Sequence, residues 1–379
     1  MNTSNKLIGT LNGEVDSTIE DSLGNVISSE YITNVTWDSA TSTLSFYSGN
    51  TLKYSCVINL SPIPLVDDDT KPLYLHSKQN GSTVTLTKVG THNSGDVYQT
   101  SSDGSTWSNY TNGTTITLNN GEGVYFRISA DRATTFSSSN YIRFSMSGEV
   151  EAYHNVNSLL SPSFSSLTDL TTVVGSGTYC HYDLFGGCTV LSKAPLLPAT
   201  TLSTYCYDAM FLNCSSLTDA PTLPSTIMKS RCYASMFYGC SGLTSAPALP
   251  ATSLATYCYA SMFSGCTGLT QAQTTLPATT LAANCYQDMF NGCSKITQTP
   301  SLKGTSLKTA CYVRMFRNCS KLGTVTAYAT TNEDVSANTD NWLYGVKSSG
   351  TFYCKSSGAD WISGSVNGIP SGWTRRATL

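Results

Sequence analysis

Cysteine is the residue type with the most chemistry to offer here: the 379-residue chain has 14, against only 4 histidines. Twelve of them fall into six pairs, each eight residues apart: Cys180/Cys188, Cys206/Cys214, Cys232/Cys240, Cys258/Cys266, Cys285/Cys293 and Cys311/Cys319. Structural zinc loops place their cysteines ~2–4 residues apart, so this spacing does not suit zinc. On a helix, cysteines eight apart lie ~12 Å from each other, beyond the ~7 Å a disulfide can bridge. Helices packed side by side sit ~8–10 Å apart, again too far. The expectation is a set of reduced, buried thiols acting as small apolar residues. Cys56 and Cys354 stand outside the pairs without an evident mate.

The remaining reactive groups do not converge. His76, His92, His154 and His181 are scattered, and none has a nucleophile or carboxylate at motif spacing. No G-x-S-x-G, H-E-x-x-H, Walker or dinucleotide fingerprint occurs, and no paired glycosidase carboxylates are visible. Asp67-Asp68-Asp69 lacks the alternating ligands and closing Glu of a calcium loop and reads as a solvated linker. The L-P-A-T-T strings at 197–201 and 276–280 lack the glycine, apolar tail and position of a sortase signal. The sequence therefore nominates no catalytic, cofactor-binding or metal-binding residue, and the expectation is a protein that is not an enzyme.

What positions the cysteines is an internal repeat. First cysteines recur every 26 or 27 residues within the text C-Y-x-x-M-F-x-x-C-x-x-L-T-x-A-P-x-L-P-A-T-x-L. A period of this length with this fidelity means a solenoid whose coils contact only their neighbours. At 100° per residue the two Cys and the Tyr, Met and Phe between them fall on one arc of ~140°, the width of a core-facing helical stripe. The L-T-x-A stretch alternates as a short strand, and the prolines around it mark turns. Each coil thus reads as one short helix, one short strand and two turns. His181 and Leu184 depart from the Tyr and Met slots in the first coil, and Lys303-Gly304-Thr305 replaces L-P-A-T in the last. These departures suit the end caps that solenoids need.

The M-F-x-x-C-x-x-L-T core (Met236, Phe237, Cys240, Leu243, Thr244) resembles the BspA-type leucine-rich repeat over roughly residues 175–328. That family occurs in surface proteins of gut Bacteroidetes and other host-associated microbes, and in phages that infect them. The resemblance implies adhesion and binding rather than catalysis, with no shared ligand residues to carry over.

The flanks complete a multidomain, mainly β reading with an α/β solenoid. Residues 1–66 contain Ile32–Asp38 followed by Thr43–Tyr47, a hairpin pattern that resembles phage tail and fibre modules, and read as a β-rich attachment module. Residues 70–152 alternate repeatedly between turn signals and read as a β-sandwich. The six-coil leucine-rich repeat solenoid is placed at 153–328, and a β-rich C-terminal cap at 329–379, where Trp342, Tyr353, Trp361 and Trp373 stand among Gly and Ser.

Composition narrows the partners. Charged residues are 12% of the chain, the net charge is −3, and Ser plus Thr make 107 residues. No basic footprint for nucleic acid is present, and no apolar run reaches the ~18 residues of a membrane span. The first ten residues show no apolar signal-peptide core. One row stands out: the x of L-T-x-A, namely Lys193, Asp219, Ser245, Gln271, Gln298 and Thr324, would line one face at ~4.8 Å spacing as a solvated row or a recognition strip. The functional expectation is a virion fibre or decoration protein of a phage, homo-oligomeric, needing no cofactor. It would hold capsid or tail proteins by its N-terminus and a bacterial surface glycan or protein by its repeats. A secreted or surface-exposed bacterial adhesin is the alternative.

Overall fold

The structure is a computed structural model. It describes residues 65–377, apart from 176, 273–274, 331–334, 357–360 and 366, and five short strands before them. The chain divides into two compact units, Met1–Leu65 and Val66–Leu379. In the first, β1 (Ile19–Glu20) pairs with β2 (Val26–Ile27), while β3 (Asn34–Asp38), β4 (Thr43–Ser48) and β5 (Thr51–Val57) form an antiparallel meander. The hairpin read from the sequence is this β3–β4 pair. Residues 1–18, which include the first ten read for a signal core, and residues 61–64 of the linker lie outside the described residues.

The second unit begins with strands whose side chains alternate between buried and half-buried, as a two-faced sheet requires. They are β6 (Leu73–Ser77), β7 (Ser82–Val89), β8 (Tyr98–Ser101), β9 (Ser108–Asn109), β10 (Thr115–Leu118), β11 (Gly123–Ile128), β12 (Tyr141–Ser147) and β13 (Val150–Tyr153). β10-β7-β12 make one sheet. A second has the order β14-β13-β6-β11-β8-β9, in which β14 (Leu191–Lys193) is the first strand of the repeat region. The inward rows of the two sheets meet edge to face, with the Phe126 and Phe144 rings 5.1 Å apart.

The repeats then stack, but not as helices. The only α-helix among the described residues is α1 (Val335–Asn338), and the expected short helix of each coil is corrected by a ladder of serial turns. In the second coil the Met210, Leu212 and Cys214 N–H groups donate back three residues, to Tyr207, Ala209 and Phe211. The N–H groups in between donate forward to the next coil: Tyr205 to Ser230, Tyr207 to Cys232, Ala209 to Ala234, Phe211 to Met236 and Asn213 to Tyr238, at 2.7–3.0 Å. Every fourth residue is left-handed, as at Tyr205 (φ 60°), Ala209 (φ 58°) and Asn213 (φ 59°). An α-helix would have spent all these donors on itself; this backbone spends half of them on its neighbour and so welds the coils together.

Five ladders of side chains run through the stack. Tyr207, Tyr233, Tyr259, Tyr286 and Tyr312 form one column, with successive rings 5.7–6.1 Å apart. Phe185, Phe211, Phe237, Phe263, Phe290 and Phe316 form another at 5.4–5.6 Å. Each such stacked pair adds roughly 0.5–1.5 kcal/mol beyond area burial. The two cysteine columns and the methionine column fill the space between them, all fully buried. His181 takes the Tyr slot of the first coil, stacked 5.5 Å from Tyr207, and donates from Nε2 to Asn157. The Phe column runs on upstream, because Phe144 of β12 stacks 5.2 Å from Phe185. Sheets and solenoid therefore share one core.

On the other side of each coil, strand pairing is sparse at first. Asp169↔Thr201, Thr201↔Ile227, Ser245↔Gln271 and Ser253↔Thr280 are single bridges. The prolines of the repeat, such as Pro221 and Pro247, cannot donate to a ladder, and so the strands stay short. Toward the C-terminus the prolines thin out. There β15 (Thr275–Leu276), β16 (Gln298–Leu302), β17 (Thr324–Ala327), β18 (Gly350–Cys354) and β19 (Trp373–Ala377) form a parallel five-stranded sheet, a β-solenoid of about four turns. The turn ladder likewise continues past residue 328: Tyr312, Arg314, Phe316 and Asn318 donate to Asn338, Asp340, Trp342 and Tyr344. Trp342 lies against both Tyr312 (5.9 Å) and Phe316 (6.5 Å), and Trp361 stacks on it at 5.2 Å, closing both ring columns.

Candidate functional site

The six residues of the proposed strip do not form one continuous row. Gln298 pairs with Thr324, and Ser245 bridges Gln271. Asp219 lies in a segment without a strand, and its carboxylate accepts from the Thr218 hydroxyl. Lys193, at the head of the strip, lies in β14 beside Glu151 of β13, and there the row runs into a richer surface.

That surface is the outer face of the six-stranded sheet. Two cross-strand rows build it. One runs Lys193, Glu151, His76, Gly123; the next runs Tyr153, Tyr74, Tyr125. The Tyr74 and Tyr125 rings are 4.4 Å apart, and the His154 ring lies 6.2 Å from Tyr125 and nearly parallel to it. Gly123 is required by close approach, since a Cβ there would stand 2.3 Å from the Tyr74 ring. Farther along β11, the Arg127 guanidinium sits 4.0 Å over the Trp107 ring while its Nε donates to Gln99.

The charged groups brace this platform. Glu151 Oε2 accepts from the Tyr153 hydroxyl at 2.8 Å and lies 3.5 Å from His76 Nδ1 and 3.6 Å from Lys78. Lys193 Nζ lies 4.0 Å over the Tyr153 ring and donates to Asp67 Oδ2 at 2.6 Å. Asp67 Oδ1 accepts the backbone N–H of His154, whose φ of 67° is left-handed. The acidic run read as a solvated linker is thus fastened to the sheet, a correction whose cause is Lys193, 126 residues away in sequence. The Asp68 N–H donates to His154 Nδ1, which leaves the proton of the neutral ring on Nε2. Burial pushes the His154 pKa down, against the pull of Asp67. Burial, together with the bond to Glu151, pushes the Tyr153 hydroxyl well above its ordinary value.

Chemically, this arrangement offers flat ring faces rimmed by a few hydrogen-bonding groups. Both of its carboxylates are already committed, Glu151 to Tyr153 and Asp67 to Lys193. Among the described residues no group of His, Cys, Asp and Glu is arranged to hold a metal ion, and no helix is long and apolar enough to cross a membrane. The cysteine columns are free thiols buried in the core, with their pKa values raised by burial to about 11 at Cys180 and about 12 at Cys240.

The sequence reading did not single out Tyr74, Tyr125, Glu151 or Tyr153, and it left His76 and His154 as scattered histidines, which the sheet brings beside Tyr74. A signal was there. In Leu73-Tyr74-Leu75-His76 and Val124-Tyr125-Phe126-Arg127 the inward positions are ordinary apolar residues, but the outward ones are aromatic or charged in a chain where Ser and Thr make 107 residues. Comparison with known proteins adds no relative: no family model, no curated protein and no solved structure matches the chain.

Proposed function

We propose that the protein is a non-enzymatic surface-binding protein, a virion fibre or decoration protein of a phage that engages a bacterial surface glycan or protein. The observation that carries the reading is the ring platform of Tyr74, Tyr125 and His154, braced by committed charges on a stacked scaffold. Ring faces with hydroxyl and amide neighbours suit sugar rings and polar side chains, and a weak single site gains strength when copies are displayed together. The M-F-x-x-C-x-x-L-T repeat text supports kinship with the BspA-type leucine-rich repeats, and with it an adhesive role. The secreted bacterial adhesin shares this chemistry and differs only in setting. On either reading, recognition belongs to the second unit and attachment to the first.

The test is a binding comparison on host cells. The full chain and its Tyr74→Ala/Tyr125→Ala variant are applied to cells as multivalent particles. Loss of binding at unchanged thermal midpoint supports the reading, and undiminished binding removes the platform from it. Probing purified phage particles for this chain separates virion from adhesin.

A further inference from the structure

The outward side of the turn ladder carries a second feature. Call the first cysteine of a coil position 0. Positions +2 and +3 then hold Tyr182-Asp183, Asp208-Ala209, Ala234-Ser235, Ala260-Ser261, Gln287-Asp288 and Val313-Arg314 in the six coils. The two middle coils alone have small residues at both places, flanked by larger ones on each side. The result is a hollow of about 150 Å³ lined by Arg231, Ala234, Ser235, Tyr257, Ala260, Ser261 and Gln287.

Most of its polar groups are unspent, although Gln287 Nε2 donates to Asp288 Oδ2 at 3.3 Å and keeps only its Oε1 and second N–H for a ligand. Arg314 is held by both oxygens of Asp288, at 2.9 and 2.8 Å; Arg143 pairs with Asp183 and Lys193 with Asp67. Among the described residues Arg231 has no carboxylate within 4.0 Å, Asp208 feeling its charge from farther off, and it rests between the Tyr257 ring, 4.6 Å from its centre, and the Tyr205 ring, 5.7 Å away. The Ser235 and Ser261 hydroxyls make no hydrogen bond among the described residues and line the hollow. Arg231 and Ser261 are also left-handed (φ 55° each), held so by the ladder rather than by local preference.

We infer that this hollow is a binding site for one carboxylate-bearing sugar residue, with Arg231 meeting the carboxylate and Ser235, Ser261 and Gln287 the hydroxyls. A guanidinium already stacked on a ring keeps its outer edge for a planar carboxylate. Small residues make the floor, so that the sugar lies between coils rather than on top of them. The inference rests on the surface-binding reading and specifies one ligand class for it, at a place separate from the ring platform.

The experiment titrates the full-length protein with a galacturonate trimer and, in parallel, with the neutral galactose trimer, by calorimetry. Two variants accompany it: Arg231→Gln, and Ala260→Gln, which fills the hollow with the side chain the next coil already carries at that position. Both should keep the wild-type thermal midpoint. The expected result is saturable binding of the acidic trimer, at least tenfold weaker in each variant, with the neutral trimer binding weakly and indifferently to Arg231→Gln. Equal binding of both trimers, unchanged binding in the variants, or no binding of the acidic trimer overturns the site. Host-cell binding is measured on the same preparations. Cells bound without uronate binding defeat the hollow and leave the surface-binding reading standing, whereas uronate binding without cell binding does the reverse.

Discussion

The repeat thiols are structural donors rather than reagents. In the second cysteine column each Sγ donates to the carbonyl of the Phe one coil back: Cys214 to Phe185, Cys240 to Phe211, Cys266 to Phe237 and Cys293 to Phe263, at 3.0–3.1 Å. Cys266→Ala would lose this bond and leave a small void, and should lower stability by about 1–2 kcal/mol in chemical denaturation. Intact-mass measurement after alkylation should show the repeat cysteines silent in buffer and all twelve labelled in denaturant without reductant. The sign of the pH dependence follows from the same burial. The Cys240 thiol is raised from 9.0 to about 12, so its contribution is whole below pH 9 and is lost as pH climbs toward 12. Alkaline unfolding should therefore begin above pH 9, before any acid transition of comparable size. Asp208 follows the same sign at lower pH: burial raises its carboxyl from 3.8 to about 7, against the pull of Arg231, so its contribution is whole below about pH 4 and is lost as pH climbs to about 7. Asp208→Asn should raise the melting temperature at pH 8 and leave it nearly unchanged below about pH 4.

At the scale of the element, the repeat was legible as a period and as a buried set, but its local conformation was not. The inward residues stand at offsets 0, 1, 4, 5 and 8 from the first cysteine, a pattern with a period of four. A helical stripe accommodates those offsets only by widening, whereas turns of four residues place them in register, coil after coil. A second clue lay just before the closing cysteine, where Gly187, Asn213, Gly239, Gly265, Gly292 and Asn318 occupy one slot. Gly and Asn are the residues that tolerate the left-handed conformation, and every one of these has a positive φ. Gly265→Asn should then be close to neutral in thermal melts, while Gly265→Val should cost roughly 1–2 kcal/mol. The ring platform was harder to read, because the partners that brace it, such as Asp67 and Lys193, are distant in sequence and meet only through the sheet. Once the hydrogen bonds between coils are known, inter-coil distance no longer keeps neighbouring cysteines apart. Coils joined this way stand ~4.8 Å from each other, and the second-column thiols are instead engaged with backbone carbonyls one coil back.

At the scale of the second unit, the β-sandwich read at 70–152 and the solenoid that follows share one core. β13 pairs with β6 on one side and β14 on the other, and the Phe column crosses from Phe144 into Phe185 without a break. A cut between residues 152 and 153 would expose the flat face of Phe185 and strip β14 of its partner, so fragment 153–379 should aggregate or melt well below the intact chain. Fragment 66–379, which keeps that junction, should unfold in one cooperative transition. Phe237→Ala, in the middle of the stack, tests how far the coupling reaches. Removing the ring breaks two stacked contacts and leaves a cavity, which should cost about 3–5 kcal/mol. Nearest-neighbour coupling in a solenoid then allows the two ends to part company. Hydrogen exchange should show protection persisting from residue 66 to the second coil after it has been lost around Met262 and Phe263. Loss in step along the whole of 66–379 would mean that the turn ladder and the sheets unfold as one block, with the hydrogen bonds between coils carrying more of the cooperativity than the rings.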